Sequence, residues 1–104
     1  MDKITALKLA KDYTSEVMRR YPIEKAILFG SFAKGNFNDD SDIDIAFVWD
    51  FSGDLFTVQR DLMKLRRAFD FRIEPHPFAL TNFSDTDPLV HEILKHGVVI
   101  DHHL

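Results

Sequence analysis

GSFAKGNFNDDSDID, residues Gly30 to Asp44, lies between two short apolar runs, and its two ends carry different chemistry. On its N-terminal side, EKAILF reads as a buried strand stopped by Gly30. On its C-terminal side, DIDIAFVW is rich in β-branched and aromatic residues and reads as a second strand from about Asp42 to Trp49. Residues two apart on a strand share a face, so Asp42 and Asp44 project together while Ile43, Ile45 and Phe47 point the opposite way into a core. The polar segment from Ser31 to Ser41 is a loop with room for a single helical turn.

The flanking sequence supplies the rest of an α/β arrangement. ITALKLAKDYTSEVMRRY places Ile4, Leu7, Tyr13, Val17 and Tyr21 at helical spacing, and Pro22 turns the residue before it away from helix. Leu55, Val58, Leu62, Leu65 and Phe69 mark a second long helix, with Lys64, Arg66 and Arg67 at the end its dipole favours for cations. FRIEPHPF carries two prolines and reads as an edge or terminal strand. In TDPLVHEILKHG, Asp87 is an N-cap, Pro88 takes N1 and Gly97 follows the end, which leaves VVI as a last short strand. At 104 residues and 12.1 kDa the chain is expected to form one domain over residues 1–104, without a separate substrate-binding domain.

Bulk composition excludes several functions. Zero cysteine removes disulfides, thiolate metal sites and a thiol nucleophile. A net charge of −4 argues against tracking an extended nucleic-acid backbone, which draws on Lys and Arg to neutralise phosphates. No apolar run approaches the ~20 residues that cross a bilayer, and MDKITALKLAKDY is charged throughout, so a cytoplasmic protein is expected.

Asp42 and Asp44 are about 6.6 Å apart along the strand, close enough for their oxygens to converge on divalent ions. The RIEPH strand can add Glu74 from the side, with Arg72 and His76 on the same face. At about 6 Å and an effective dielectric of 20, each carboxylate pair repels by roughly 3 kcal/mol, which a bound cation relieves. Hard oxygen donors without cysteine favour Mg²⁺ or Mn²⁺. Gly30 lets the backbone approach a ligand closely, and Ser31 with the following N–H groups offers donors to phosphate. Metal beside phosphate describes a nucleoside triphosphate and nucleotidyl transfer. A P-loop is excluded because Asn36 and Phe37 stand where Lys and Ser/Thr belong, and an EF-hand because Ile45 replaces its Gly and Phe51 its distal Glu. A solvated acidic turn is the bland alternative for a lone D-x-D.

Gly30-Ser31, ten intervening residues and Asp42-Ile43-Asp44 resemble the G-S-x10-D-x-D signature of minimal nucleotidyltransferases of the DNA polymerase beta superfamily. The resemblance runs from about Ile23 to Ile100, with AILFGSFAKG as first strand and turn and SDIDIAFV as catalytic strand. It implies a palm-like nucleotidyltransferase fold, a mixed β-sheet with helices on one face. It implies that Asp42 and Asp44 hold metal, that Gly30 and Ser31 bind the triphosphate of ATP, and that a third carboxylate completes the site and helps activate an acceptor hydroxyl. Asp is usual in that third place; here Glu74 fills it, one methylene longer, with Asp70 as a weaker alternative. Such domains are similar to antitoxins of toxin-antitoxin modules, whose partner is a HEPN-type ribonuclease and whose reaction is transfer of AMP from ATP to a tyrosine of that toxin. A non-catalytic antitoxin that neutralises its partner by direct contact is the alternative, and transfer to a small molecule such as an aminoglycoside is a third.

Other residues have weaker readings. Phe32, Phe37, Trp49 and Phe51 serve either a partner or base contact or ordinary core packing. Lys34 and Arg72 are candidate phosphate partners, and His76 a candidate for proton transfer or a plain edge histidine. His91 and His96 are about 140° apart around a helix and cannot chelate together. His102 and His103 fall in an expected frayed tail.

Overall fold

The computed structural model describes residues 1–100, so His102 and His103 lie outside the described residues. Helix α1 (Lys3–Arg20) begins where the Asp2 side chain accepts from the Thr5 N–H, at 2.8 Å, and ends at extended Tyr21 ahead of Pro22. Then follow β1 (Lys25–Phe29), the one-turn α2 (Ser31–Lys34), β2 (Ile43–Trp49), α3 (Leu55–Leu65), β3 (Ile73–Ala79), α4 (Pro88–His96) and β4 (Val98–Val99). Short 3₁₀ turns cover Arg66–Ala68 and Leu80–Asn82. Asp54 caps α3, and Asp87 caps α4 with Pro88 in its first turn.

The strands form a mixed sheet in the order β3-β2-β1-β4, with β2 and β3 parallel and the other pairs antiparallel. β3 is an edge strand, which explains how it carries Pro75 and Pro77. The Arg72 carbonyl accepts from Ile43 of β2, so by alternation residues 73, 75 and 77 turn their backbone groups outward. A proline there removes no ladder hydrogen bond. The outward carbonyls find side chains instead: Gln59 donates to Pro75 at 3.1 Å and Arg66 to Ile73 at 3.0 Å.

One face of the sheet presents Ala26, Leu28, Ile43, Ile45, Phe47, Trp49 and Ile73 to α1 and α3. The buried stripe of α1 is Ala6, Ala10, Tyr13, Thr14 and Val17, the two alanines allowing close approach. Ile4, expected on that stripe, is 82% exposed because the inward face is rotated toward Ala6. Tyr13 donates its hydroxyl to the Leu62 carbonyl at 2.6 Å and Tyr21 to Asp61 at 2.7 Å, tying α1 to α3. Burial pushes the Tyr13 phenol well up, and burial with the Asp61 hydrogen bond pushes Tyr21 up to about 12. The helix expected to reach Phe69 is α-helical to Leu65 and tightens into the 3₁₀ turn Arg66–Ala68, after which the Asp70 side chain accepts from the Arg72 N–H at the turn into β3.

The opposite face carries Ile27, Phe29 and Ala46, and α4 lies against it through Ile93, joined by Phe78 and Phe83. The helical cover expected on one face therefore consists of α1 and α3, while α4 covers part of the other. Gly97, between α4 and β4, lies so close to Ile93 O and Ile27 Cγ2 that a Cβ there would strike both. Gly97→Ala should therefore lower stability by about 1–3 kcal/mol, read as a lower urea midpoint at unchanged slope. An unchanged midpoint would show that the α4–β4 corner is looser than described.

Candidate active site

Gly30 ends β1 at φ 75 and ψ −154, a backbone region that glycine alone adopts freely. A Cβ at Gly30 would also collide with Oδ2 of Asp44, because Phe29 and Asp44 are paired across the β1–β2 ladder. The next residues close a single helical turn, with Lys34 N–H donating to Gly30 O at 3.0 Å and Gly35 N–H to Ser31 O at 2.9 Å. Phe32 anchors this turn in the core, stacked on Phe37 at 4.6 Å. Trp49 is likewise buried, and Phe37 and Phe51 pack against the same cluster, so these four aromatics are core residues.

Asp42 is exposed just ahead of β2, and Asp44 follows on the same face, its side chain 25% exposed. Glu74 is the register partner of Asp44 on parallel β3 and shares that face. The three carboxylates are thus brought to one end of one sheet face. Two are engaged by basic side chains. His76 Nε2 lies 3.1 Å from Asp44 Oδ1, and its ring meets Phe29 edge-on at 4.9 Å. Arg66 reaches round the open edge of β3 to Glu74 Oε1 at 3.3 Å, while donating to the carbonyls of Phe71 and Ile73. Glu74 Oε2 has no hydrogen bond among the described residues.

The remaining candidates are spoken for. Arg72 binds Asp70 in a fork, Nε to Oδ1 at 2.9 Å and Nη2 to Oδ2 at 2.8 Å. Asp70 therefore caps the turn before β3. Lys34 pairs with Glu92 of α4, whose carboxyl that contact holds below the usual range. The Lys34–Glu92 contact joins elements far apart in the chain, and the Arg66–Glu74 contact, though only eight residues apart, depends on how the Arg66–Ala68 turn folds back on β3, so neither carries a periodicity signal. Arg66, read from sequence as a helix-end cation, is the site neighbour that reading missed.

Among the described residues, no three His, Asp or Glu side chains are gathered as a metal-holding group; Glu74 is paired with Arg66 and Asp44 with His76. The donor set still fits a Mg²⁺-type ion, which takes one or two carboxylates and completes its shell with water and substrate phosphates. Because residue 30 has no side chain, Asp44 Oδ2 comes directly against the backbone of the Gly30-Ser31 turn.

The sequence model of the family described as "Polymerase beta, Nucleotidyltransferase" matches residues 12–102. The chain belongs to this nucleotidyltransferase family. It is 42% identical over 45 residues to a Methanocaldococcus jannaschii protein named "Putative protein adenylyltransferase", a match covering 41% of this chain and 45% of that relative. The matched stretch thus spans less than half of the curated relative's length. The fold also superimposes on the crystal structure of a "putative nucleotidyltransferase from Sulfolobus solfataricus", with a TM-score of 0.62 and 31% identity, over 93% of this chain and 80% of that one. No helix among the described residues is long and apolar enough to cross a membrane.

Two outcomes follow for this nucleotidyltransferase domain. Gly30→Ala meets both an unfavourable backbone and the Asp44 carboxylate, and should cost about 1–3 kcal/mol in urea unfolding. A cost no greater than that of Gly35→Ala, where a Cβ meets nothing, would remove the carboxylate contact as a constraint. The Arg72 hydrogen bonds hold the Asp70 carboxyl at about 2 instead of 3.8. A depressed carboxyl stabilises the fold above its unfolded value, and the contribution fades as pH falls from 3.8 through about 2. Asp70→Asn should accordingly be less stable near neutrality and converge with the parent across that window; parallel acid limbs would contradict the pairing.

Proposed function

We propose that this nucleotidyltransferase moves AMP from ATP to a protein hydroxyl, a tyrosine of a HEPN-type toxin, and so acts as the antitoxin of that partner in the cytoplasm. The observation that carries the reading is the placement of Asp42 and Asp44 on one sheet face beside the Gly30-Ser31 turn. The name of the Methanocaldococcus jannaschii relative supports AMP transfer to protein.

In this reading Gly30 and Ser31 receive the triphosphate, and Asp42 and Asp44 hold Mg²⁺, or Mn²⁺ in its place, with Glu74 as third carboxylate. The bound ions would supply positive charge to the attacking and leaving oxygens. The acceptor oxygen forms a bond to the α-phosphorus while the bond from that phosphorus to the β-bridging oxygen breaks, giving an AMP ester and pyrophosphate. Glu74 accepts the hydroxyl proton through Oε2, the oxygen that Arg66 leaves open. Arg66, fixed by the Phe71 and Ile73 carbonyls, keeps the long Glu74 side chain against the β3 edge.

That same Arg66–Glu74 pair favours a second reading, a binding module that neutralises its partner by contact alone. Intact mass of the co-expressed partner after incubation with ATP and Mg²⁺ separates the two. The adenylyltransferase reading expects added AMP, lost in Asp42→Asn and Asp44→Asn and slowed about 10²–10⁴-fold in Glu74→Gln. Full transfer by either aspartate variant would refute it. An unmodified but stably bound partner would establish the contact-only antitoxin.

A further inference from the structure

Asp44 is constrained from two strands at once. On the β1 side, Gly30 lies against Oδ2; on the β3 side, His76 Nε2 lies 3.1 Å from Oδ1. His76 stands opposite Ala46 in the parallel register, and this small neighbour leaves space on β2 for the imidazole to lean toward Asp44. The ring is braced in turn by its edge-on contact with Phe29, 4.9 Å between centroids and 63° between planes. An ionised carboxylate only accepts, so Nε2 carries a hydrogen in this contact whether the ring is neutral or charged. The terminal torsion of an aspartate is soft and roughly two-fold. A donor on one oxygen and a backbone wall beside the other select a single plane for the group.

We propose that His76 is a positioning residue of the nucleotidyltransferase site: its Nε2–H fixes the Asp44 carboxylate so that Oδ2 faces the Gly30-Ser31 turn, where the divalent cation and triphosphate bind. This rests on the reading of Asp44 as a cation ligand. Oxygen ligands whose partner oxygen is hydrogen-bonded lose about 10–100-fold in metal affinity when that outer partner is removed. Glu74, on the same strand, has a different neighbour in Arg66, so the effect of His76 is confined to Asp44.

The test measures Mn²⁺ binding to the full chain by titration calorimetry, with and without a non-hydrolysable ATP analogue, beside thermal unfolding. His76→Phe keeps a ring against Phe29 but has no donor; His76→Gln places an amide N–H at the same reach along the side chain. The expected result is about 10–100-fold weaker Mn²⁺ binding in His76→Phe, recovery of most of that loss in His76→Gln, and loss of binding in Asp44→Asn. Wild-type affinity in His76→Phe, with binding lost in Asp44→Asn, would overturn the role of His76 alone. If Asp44→Asn also binds Mn²⁺ normally, the ligand reading of Asp44 falls and the role of His76 with it. Should His76→Phe fail to fold, ¹⁵N spectra of the wild-type imidazole decide: addition of Mg²⁺ should shift the Nε2 resonance with its hydrogen retained, and an unmoved resonance would overturn the proposal.

Discussion

The close approach of Gly30 to the Asp44 carboxylate is the contact on which the site depends. It requires β1 and β2 to pair antiparallel with Phe29 opposite Asp44, and it requires a residue without a side chain at the end of β1. Both conditions must hold before the Ser31 turn and the acids of β2 can face a common space. The register is itself held by hydrophobic alternation. A slip of one residue would turn Asp44 inward and expel Ile43, Ile45 and Phe47, all fully buried, so core packing fixes the chemistry of the opposite face.

That opposite face is divided. Ile27, Phe29 and Ala46 are covered by Ile93 of α4, and the carboxylates begin where this cover stops. Phe29 sits at the boundary, packed in the apolar cluster on one side and against the His76 ring on the other. α4 also reaches the Ser31 turn through the Glu92–Lys34 pair, so the helix that closes the second cluster touches the segment read as binding phosphate. The pair is partly exposed, and its contribution to stability is correspondingly small.

Much of this was legible in the sequence because it rests on local signals. Gly30, the Asp42/Asp44 alternation, the prolines of the β3 edge and the Asp87-Pro88-Gly97 punctuation of α4 each report a backbone requirement that a few neighbouring residues reveal. The phase of α1 was less legible, because Ala6 and Ala10 form its inner face and the bulkier Ile4 suggested a different one. The side-chain partners Arg66–Glu74, His76–Asp44 and Lys34–Glu92 depend on which elements meet in space. Periodicity records the face a residue occupies, and these pairs are decided by reach across the sheet edge or between helices. Glu74 illustrates the difference: its face was readable, its arginine was not.

The central claim is that the Gly30-Ser31 turn and the β2 aspartates form one nucleotide and cation site. A crystal structure with Mn²⁺ and a non-hydrolysable ATP analogue tests it most directly. The account predicts anomalous density for Mn²⁺ between the Asp42 and Asp44 carboxylates, with the triphosphate on the Gly30-Ser31 backbone. Triphosphate bound elsewhere, or Mn²⁺ held without either aspartate, would contradict it.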